Sequence, residues 1–199
     1  MSDPVPHNRN RLGWLLGFIF HPFTVFIPAL VVVLNDTPRR EALAWLTFIA
    51  VLLLGPTALL VQLARRRGRY VYQRETRHIL YLTGELSILI CTGLAIALEA
   101  SPRLLFSLLT LALWVPLQYT VNARLTKISA HAAVISGIVA AFMVLGEIDS
   151  MPLALAGVGA VLATAWARVV TGHHTLTQVS LGIMVSITSV LAAAVLVSL

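Results

Sequence analysis

The stretch LTQVSLGIMVSITSVLAAAVLVSL, residues 176–199, decides the fold class of this chain, because it contains no charged side chain. As an α-helix rising about 1.5 Å per residue, a run of this length crosses the roughly 30 Å hydrocarbon core of a bilayer. Similar apolar runs precede it at residues 12–34, 42–64, 79–98, 104–121, 130–145 and 152–170. A backbone exposed to lipid must satisfy its own hydrogen bonds, so each run is predicted to be helical.

The composition agrees with membrane insertion and excludes two other classes of protein. The 199 residues are 58% hydrophobic and only 11% charged, whereas soluble domains average about 45–50% and about 25%. A disordered chain would show the opposite composition. We therefore predict an all-α polytopic membrane bundle of six or seven transmembrane helices, a single transmembrane domain over residues 1–199 with a short cytoplasmic tail at residues 1–11. The number of transmembrane helices stays open, because the His21-Pro22 pair either bends the first apolar run or leaves that run partly in the membrane interface.

The distribution of Lys and Arg predicts the orientation of the chain. Alternating spans place the N-terminus and the connections at residues 65–78, 122–129 and 171–175 on one side of the membrane. That side holds eleven of the fourteen Lys and Arg residues, and such a bias marks the cytoplasmic side. We predict a multi-pass protein of the cell membrane whose catalytic face is cytoplasmic. The net charge of +6 comes from basic residues that cluster between the apolar runs, where they would contact anionic lipid headgroups. Nucleic acid is therefore not predicted as a partner.

Three polar clusters return to that same side. The first covers residues 65–78, most of which reads as a basic juxtamembrane segment. Within it, Arg74 and Arg77 are three residues apart, so on a helical turn their guanidinium groups share one face. Two guanidinium groups placed in this way can clamp one phosphate through bidentate hydrogen bonds.

The second cluster is Lys127-Ile128-Ser129-Ala130-His131, at the start of the fifth apolar run. Ser129 is predicted to be the N-cap of this helix, and the amides of a first helical turn favour an anion. Lys127 adds a positive charge next to that turn. His131 is an ionisable group two residues into an apolar span, where such groups are costly and indicate function by default.

The third cluster joins the sixth and seventh runs and contains Arg168, Gly172, His173, His174 and Gln178. Gln178 lies four residues after His174, so on a helix it can hold one ring nitrogen and leave the other free to attack. Alternatively, the two adjacent histidines only anchor a helix end at the membrane interface. An error of one residue in register would exchange the roles of His173 and His174.

Together the three clusters supply cations, a hydroxyl group and imidazoles, which are the groups that phosphoryl transfer requires. The single cysteine, Cys91, excludes an internal disulfide and a cysteine-based metal site, and no acidic cluster suits a metal ion. We therefore predict metal-free chemistry without a cofactor.

Two further ionisable residues lie in the apolar runs. His21 is interpreted as a packing residue at the bend. Glu85 either pairs with an arginine or histidine of the site or forms an interhelical hydrogen bond as a protonated acid.

These residues resemble the signatures of the type 2 phosphatidic acid phosphatase superfamily of membrane phosphatases, which are K-x6-R-P, P-S-G-H and S-R-x5-H-x3-D. The third signature matches best, with Arg168, His174 and Gln178 at the spacing of the family. The second is resembled by Ser129-Ala130-His131, in which Ala130 takes the glycine position. The third signature alone is specific by itself.

The first signature is matched in one of two registers, and the resemblance as a whole runs over residues 67–178. In one register Arg77-His78 resembles the R-P pair and Arg74 replaces the basic residue before it. In the other, Arg67 and Arg74 reproduce the spacing of six intervening residues. Both registers place the first signature directly before the third apolar run.

The resemblance implies a phosphohistidine mechanism, in which His174 attacks phosphorus, His131 protonates the leaving lipid oxygen, and water then cleaves the phosphoenzyme. It also implies a set of side chains that hold the phosphate oxygens: Arg74, Arg77, Lys127, Ser129 and Arg168. The family has a carboxylate where this chain has Gln178, which can fix the imidazole tautomer but carries no charge. In serine proteases, the matching Asp-to-Asn change lowers turnover by about 10⁴. This departure therefore predicts slow turnover or an inactive relative.

The expected function is that of an integral membrane phosphatase acting on a lipid partner, either a phosphatidate-like lipid or a prenyl diphosphate. One alternative is a catalytically weak or inactive relative that binds lipid phosphate. Another is a small membrane transporter, which would carry polar residues through several spans, whereas the second, fourth and sixth runs are nearly all apolar. The sequence leaves the oligomeric state open.

Overall fold

A computed structural model describes the backbone of residues 10–67 and 74–198, and the side chains of these residues except 74–77. Within these ranges the regular elements are helices, and no strand occurs. They are α1 (Arg11–Ile19), α2 (Pro22–Val33), α3 (Arg39–Ile49), a π-helical segment (Ala50–Leu54), α4 (Gly55–Arg66), α5 (Arg74–Ala97), α6 (Pro102–Arg124), α7 (Ala130–Val144), α8 (Met151–Val170) and α9 (Leu176–Val197). The predicted all-α fold is confirmed.

Six helical segments of the described chain are long and apolar enough to cross a membrane: Arg11–Val33, Arg39–Arg66, His78–Ala97, Pro102–Arg124, Met151–Val170 and Leu176–Val197. The remaining apolar helix, α7, has 15 residues, which correspond to about 22 Å and fall short of a typical bilayer core. Large apolar side chains such as Leu82, Leu191 and Val195 are exposed on these helices. The chain is therefore a multi-pass membrane protein.

The first apolar run is broken at the bend that the sequence predicts. Helix α1 ends at its C-cap, Phe20, and α2 begins at Pro22. Proline fits the first position of a helix, and it disfavours helical geometry in the residue before it, here His21. The Nδ1 atom of His21 accepts a hydrogen bond of 3.3 Å from the backbone N–H of Phe23. The break therefore leaves a histidine at the junction of two short helices.

The chain divides into two compact units, of which unit 1 comprises Met1–Ala29 and Thr120–Leu199. In unit 1, α7 packs against α8 and α9, and α1 packs against α8. Glycines allow the close approach of α7 and α9, as in other membrane helix pairs. A Cβ atom on Gly182 would lie 2.8 Å from the carbonyl oxygen of Ser129, and one on Gly137 would overlap the hydroxyl of Ser186.

Unit 2 comprises Leu30–Tyr119 and contains a polar cluster between α5 and α6. The Nε2 atom of Gln118 donates to the hydroxyl of Tyr81 at 3.1 Å. The hydroxyl of Tyr119 lies 3.0 Å from Nδ1 of His78. The Oε2 atom of Glu85 is buried and has no hydrogen-bond partner among the described residues. Its predicted pairing with a basic residue of the site stays a prediction.

Candidate active site

The second and third sequence clusters meet in unit 1. The backbone N–H of Ser129, directly before α7, donates to the carbonyl oxygen of Gln178 in the first turn of α9 at 3.2 Å. The side-chain Nε2 of Gln178 donates to the hydroxyl of Thr126 at 3.2 Å. These two bonds join the connection before α7 to the connection before α9. The second and third clusters are therefore adjacent in space, while the predicted return of all three clusters to one membrane face stays a prediction.

His174 is oriented by the hydrogen bond that the sequence predicts. Its Nδ1 atom lies 3.1 Å from Oε1 of Gln178. The same oxygen accepts the backbone N–H of Thr175 at 3.2 Å, which identifies it as the carbonyl oxygen of the amide. The imidazole must therefore donate its Nδ1 proton, and Nε2 retains its lone pair. The register is also decided, because it is His174 and not His173 that contacts Gln178.

The start of α9 shows why Gln178 is placed so firmly. Thr175 is the N-cap, its hydroxyl accepts the backbone N–H of Gln178 at 3.3 Å, and the Gln178 side chain returns to the Thr175 amide. This reciprocal capping box satisfies two free amides of the helix end. Its signal, Thr-x-x-Gln, is present in the sequence, although the capping box was not predicted. Helix α9 consequently begins at Leu176, two residues after His174.

Arg168 lies in the last turn of α8 and faces no carboxylate within the described part of unit 1. Its Nε atom is buried and has no hydrogen-bond partner among the described residues. The described carboxylates of this unit, Glu147 and Asp149, precede α8 and lie at its opposite end, about 27 Å away along a helix of that length. A buried cation without a counter-ion is costly, so this guanidinium is suited to bind an anion.

Burial, reinforced by the positive charges of nearby basic residues, keeps both histidines of the α8–α9 connection neutral. Burial lowers the pKa of His174 to about 4, and the positive charges of Arg168 and Lys127 contribute to this shift, while the bond to Gln178 opposes it. Burial and the same two cations lower the pKa of His173 to about 4. At pH 7 both imidazoles are therefore neutral, which is the form that can act as a nucleophile or a base.

His131 belongs to the same group of side chains. Arg168, His173 and His174 all lie within electrostatic range of its ring. The ring of His21 packs edge to face against it, with 4.9 Å between ring centroids. His21, interpreted from sequence as a packing residue at a bend, is thus a direct neighbour of a predicted catalytic residue. No sequence signal links two histidines so far apart in the chain.

Ser129 caps α7 as predicted, and its surroundings are wholly protein. It is 0% exposed, and its hydroxyl accepts the backbone N–H of Ala132 at 3.4 Å. Its own amide is used by Gln178. The capping role is confirmed, while its contact with phosphate stays a prediction. Lys127, two residues before it, is half-buried and acts on both histidines through its charge.

The first cluster belongs to unit 2. Arg74 is the first residue of α5, and Arg77 follows within the first turn, so the predicted helical spacing is present. The side chains of both arginines lie outside the described residues. Arg67 is the C-cap of α4, and residues 68–73 between Arg67 and Arg74 also lie outside them. Both registers of the first signature, and the phosphate contacts of Arg74 and Arg77, stay predictions.

No protein-family model, curated protein or solved structure matches this chain significantly. Function is therefore inferred from the geometry of unit 1 and from the motif residues themselves. Among the described residues no group of three or more His, Cys, Asp or Glu side chains is placed to hold a metal ion. What unit 1 presents is a pair of cations beside neutral imidazoles with free lone pairs, an arrangement suited to an anionic electrophile such as a phosphoryl group.

Proposed function

We propose that this chain is a metal-independent membrane phosphatase that hydrolyses a lipid phosphate or an isoprenoid diphosphate through a phosphohistidine intermediate. The observation that carries the proposal is the orientation of His174. Its Nδ1–H is bound by an amide oxygen whose identity is fixed by Thr175, so Nε2 presents a lone pair in the positive field of Arg168 and Lys127. A held, neutral imidazole next to cations is the arrangement that attack on a phosphoryl group requires.

In the proposed first step the Nε2 lone pair of His174 attacks phosphorus, and the bond from phosphorus to the leaving oxygen breaks. The electron pair of that bond passes to the leaving oxygen, which takes a proton from His131 in its imidazolium form, a form that the bound phosphate favours because a nearby negative charge raises the pKa of an imidazole. Arg168 and Lys127 neutralise the charge on the remaining phosphate oxygens. In the second step water attacks phosphorus and gives a proton to a neighbouring neutral imidazole, the electron pair of the phosphorus–nitrogen bond returns to Nε2 of His174, and inorganic phosphate is released.

The membrane setting supports a substrate with an apolar tail. The helices of the described chain expose large apolar side chains along their length, so a hydrocarbon tail can remain in the bilayer while the phosphate meets the basic connections. Phosphatidate and prenyl diphosphates share this chemistry. The excess of Lys and Arg on one side supports a site that opens to the cytoplasm.

Phosphate release by purified protein tests the proposal. Wild type, His174→Ala and Thr177→Ala are incubated with phosphatidate and, separately, with farnesyl diphosphate, and free phosphate is measured. Thr177 is an exposed residue of the same helical turn, so its variant is the matched control. We expect His174→Ala to lower the rate by at least about 10³, as for other nucleophile deletions. Equal rates from wild type and His174→Ala would remove the proposed nucleophile.

A second candidate function is a non-catalytic protein that binds lipid phosphate. It is favoured by the bonding of Gln178, since the contacts of this neutral side chain with Thr175 and Thr126 are those of a helix cap and an interhelical tie. This candidate predicts that wild type releases no phosphate from either lipid but binds vesicles containing phosphatidate. Such binding would be lost in Arg168→Ala. Phosphate release abolished by His174→Ala would reject it.

A further inference from the structure

The second histidine of the pair, His173, is held as firmly as His174, although a nucleophilic mechanism needs only one imidazole. Its Nδ1 atom lies 2.8 Å from the hydroxyl oxygen of Thr171. Thr171 is 1% exposed. The ring of Trp14 packs edge to face against the imidazole, with 5.1 Å between ring centroids. A histidine that only anchored a helix end would not need a buried partner.

The bonding of Thr171 decides the tautomer of His173. The Thr171 hydroxyl donates its proton to the carbonyl oxygen of Ala167 at 2.6 Å. Its oxygen must therefore act as the acceptor toward His173, and the imidazole donates from Nδ1. The Nε2 atom of His173 consequently carries a lone pair. His173 and His174, which are adjacent in the α8–α9 connection, are thus both bonded at Nδ1 and both carry a lone pair at Nε2.

Helix α1 holds this arrangement in place. A Cβ atom on Gly13 would lie 2.9 Å from Cγ2 of Thr171 and 2.9 Å from Cγ1 of Val170. Only a glycine lets α1 approach so closely without displacing these side chains. One turn further, a Cβ atom on Gly17 would lie 3.5 Å from Nη1 of Arg168. The end of α8 is therefore packed against α1, and this packing restricts the side chain of Thr171.

We propose that His173 is a further catalytic residue, the general base that takes a proton from the water molecule that cleaves the phosphohistidine. This inference rests on the proposed function. A neutral imidazole takes part in phosphoryl transfer either as the nucleophile or as a proton acceptor, and in the proposed mechanism Nε2 of His174 is the nucleophile. In the second step the water oxygen bonds to phosphorus, the phosphorus–nitrogen pair returns to Nε2 of His174, and the water proton moves to Nε2 of His173.

The charge balance of the site supports this role. Burial, together with the charges of Arg168 and Lys127, lowers the pKa of His173 to about 4, so the free site holds a neutral proton acceptor. Bound phosphate brings negative charge next to the ring, and a nearby negative charge raises the pKa of an imidazole. The basicity of His173 therefore increases when phosphate is bound, which is when the base is required.

The two half-reactions can be separated by rapid mixing. Enzyme is mixed with phosphatidate labelled in its phosphate and quenched in alkali at successive times. Diacylglycerol reports the first step, free phosphate reports the second, and label on the protein reports the intermediate. The proteins compared are wild type, His173→Ala, His173→Gln, Thr171→Val and His174→Ala, with Thr177→Ala as the matched control.

We expect both His173 variants to release a burst of one diacylglycerol per chain and then to release phosphate about 10²–10⁴-fold more slowly than wild type, the usual contribution of a general base. Label should accumulate on them to about one per chain. Thr171→Val, which removes the acceptor for Nδ1–H but keeps the side-chain shape, should show the same pattern with a smaller decrease. Thr177→Ala should behave as wild type, and His174→Ala should carry no label.

The outcomes distinguish this inference from the proposed function. If wild type carries label but neither the His173 variants nor Thr171→Val accumulate it, His173 is not the base and the phosphohistidine mechanism stands. If wild type, the His173 variants and Thr171→Val all release phosphate and none of them ever carries label, both ideas are lost. Three variants report the same quantity, so a folding defect in one of them leaves the other two to decide.

Discussion

The basic end of unit 1 and the polar cluster of unit 2 contain similar side chains but use them differently. In unit 2 Gln118 bonds to Tyr81, and His78 bonds to Tyr119. Oε2 of Glu85 in the same unit has no hydrogen-bond partner among the described residues, and no Arg or Lys charge of the described chain acts on this carboxyl group. In unit 1 each imidazole of the α8–α9 connection is bound at one nitrogen only, beside an arginine whose Nε has no partner among the described residues. The positive charge of Arg168 and Lys127 beside oriented imidazoles therefore distinguishes the candidate site of unit 1 from the packing cluster of unit 2.

The largest expected effect comes from removing the buried cation of unit 1. We expect Arg168→Ala to lower phosphate release from phosphatidate by about 10³ or more, the range observed for arginines that stabilise a transferring phosphoryl group. Arg124→Ala, an exposed arginine at the end of α6, serves as the control and should have little effect. Equal losses in both variants would indicate a general effect of charge and would reject a specific role of Arg168 in unit 1.

A gain of activity is expected when the backing amide becomes a carboxylate. Gln178→Glu keeps the side-chain length and adds the negative charge that stabilises an imidazolium, so turnover should rise about tenfold or more. The pKa of His174 should rise as well, because a carboxylate favours the charged ring. Turnover measured over pH for wild type, Gln178→Glu and Gln178→Ala checks this. A turnover in Gln178→Glu no higher than in wild type would contradict a role of this side chain in stabilising the imidazolium of His174.

The close packing of unit 1 predicts that alanine destabilises the protein at one glycine and not at another. A Cβ atom on Gly182 would lie 2.8 Å from a backbone oxygen of Ser129, whereas one on Gly93 in unit 2 would meet nothing within 4 Å. We expect Gly182→Ala to destabilise the protein by about 1–3 kcal/mol through overpacking. Gly93→Ala should be neutral or stabilising by up to about 1 kcal/mol. Thermal unfolding in detergent compares them, and equal melting temperatures would contradict the tight α7–α9 contact.

The stability of the protein should fall in acid, because the two histidines of the α8–α9 connection are neutral in the folded state. The folded pKa values of His173 and His174 are both about 4, below the value of about 6.5 for an unfolded histidine. The unfolded state then binds more protons, so this contribution is present above about pH 6.5 and is lost as the pH falls toward 4. The melting temperature at pH 5 should be lower than at pH 7, and His173→Ala should reduce that difference. A difference unchanged by His173→Ala and by His174→Ala would reject the assignment.

The smallest effect is expected in the polar cluster of unit 2. Tyr119→Phe removes one hydrogen bond to His78 and should cost about 1 kcal/mol of stability. Phosphate release should stay within about twofold of wild type, because this cluster is a packing feature. A loss of activity comparable to that of Arg168→Ala would place the tyrosine in the catalytic machinery and would remove the distinction between the two regions.

Local features of the fold and of the site were predictable. Apolar runs of membrane length predicted the helices, the His21-Pro22 pair predicted the break, and Ser129 was recognised as an N-cap. The contact from His174 to Gln178 followed from a spacing of four residues. Each of these features depends on residues close together in the chain, so local backbone geometry accounts for it without contacts between distant segments.

Other features had no local signal. The contact of His21 with His131, the bond from Ser129 to Gln178 and the packing of Gly13 on Thr171 all join segments distant in sequence. The firm hold on His173 was not predictable either, since it depends on how Thr171 is packed against α1.

By itself, the amino-acid sequence determined that this is an all-helical membrane protein and which polar residues flank its helices, because helix length and spacing depend on neighbours in the chain. Only the tertiary structure decided which of those residues meet, which tautomer each histidine of the α8–α9 connection adopts, and that Arg168 lies beside them without a described carboxylate. These depend on which helices pack together, and that choice is made by contacts between distant segments whose partners no local pattern specifies.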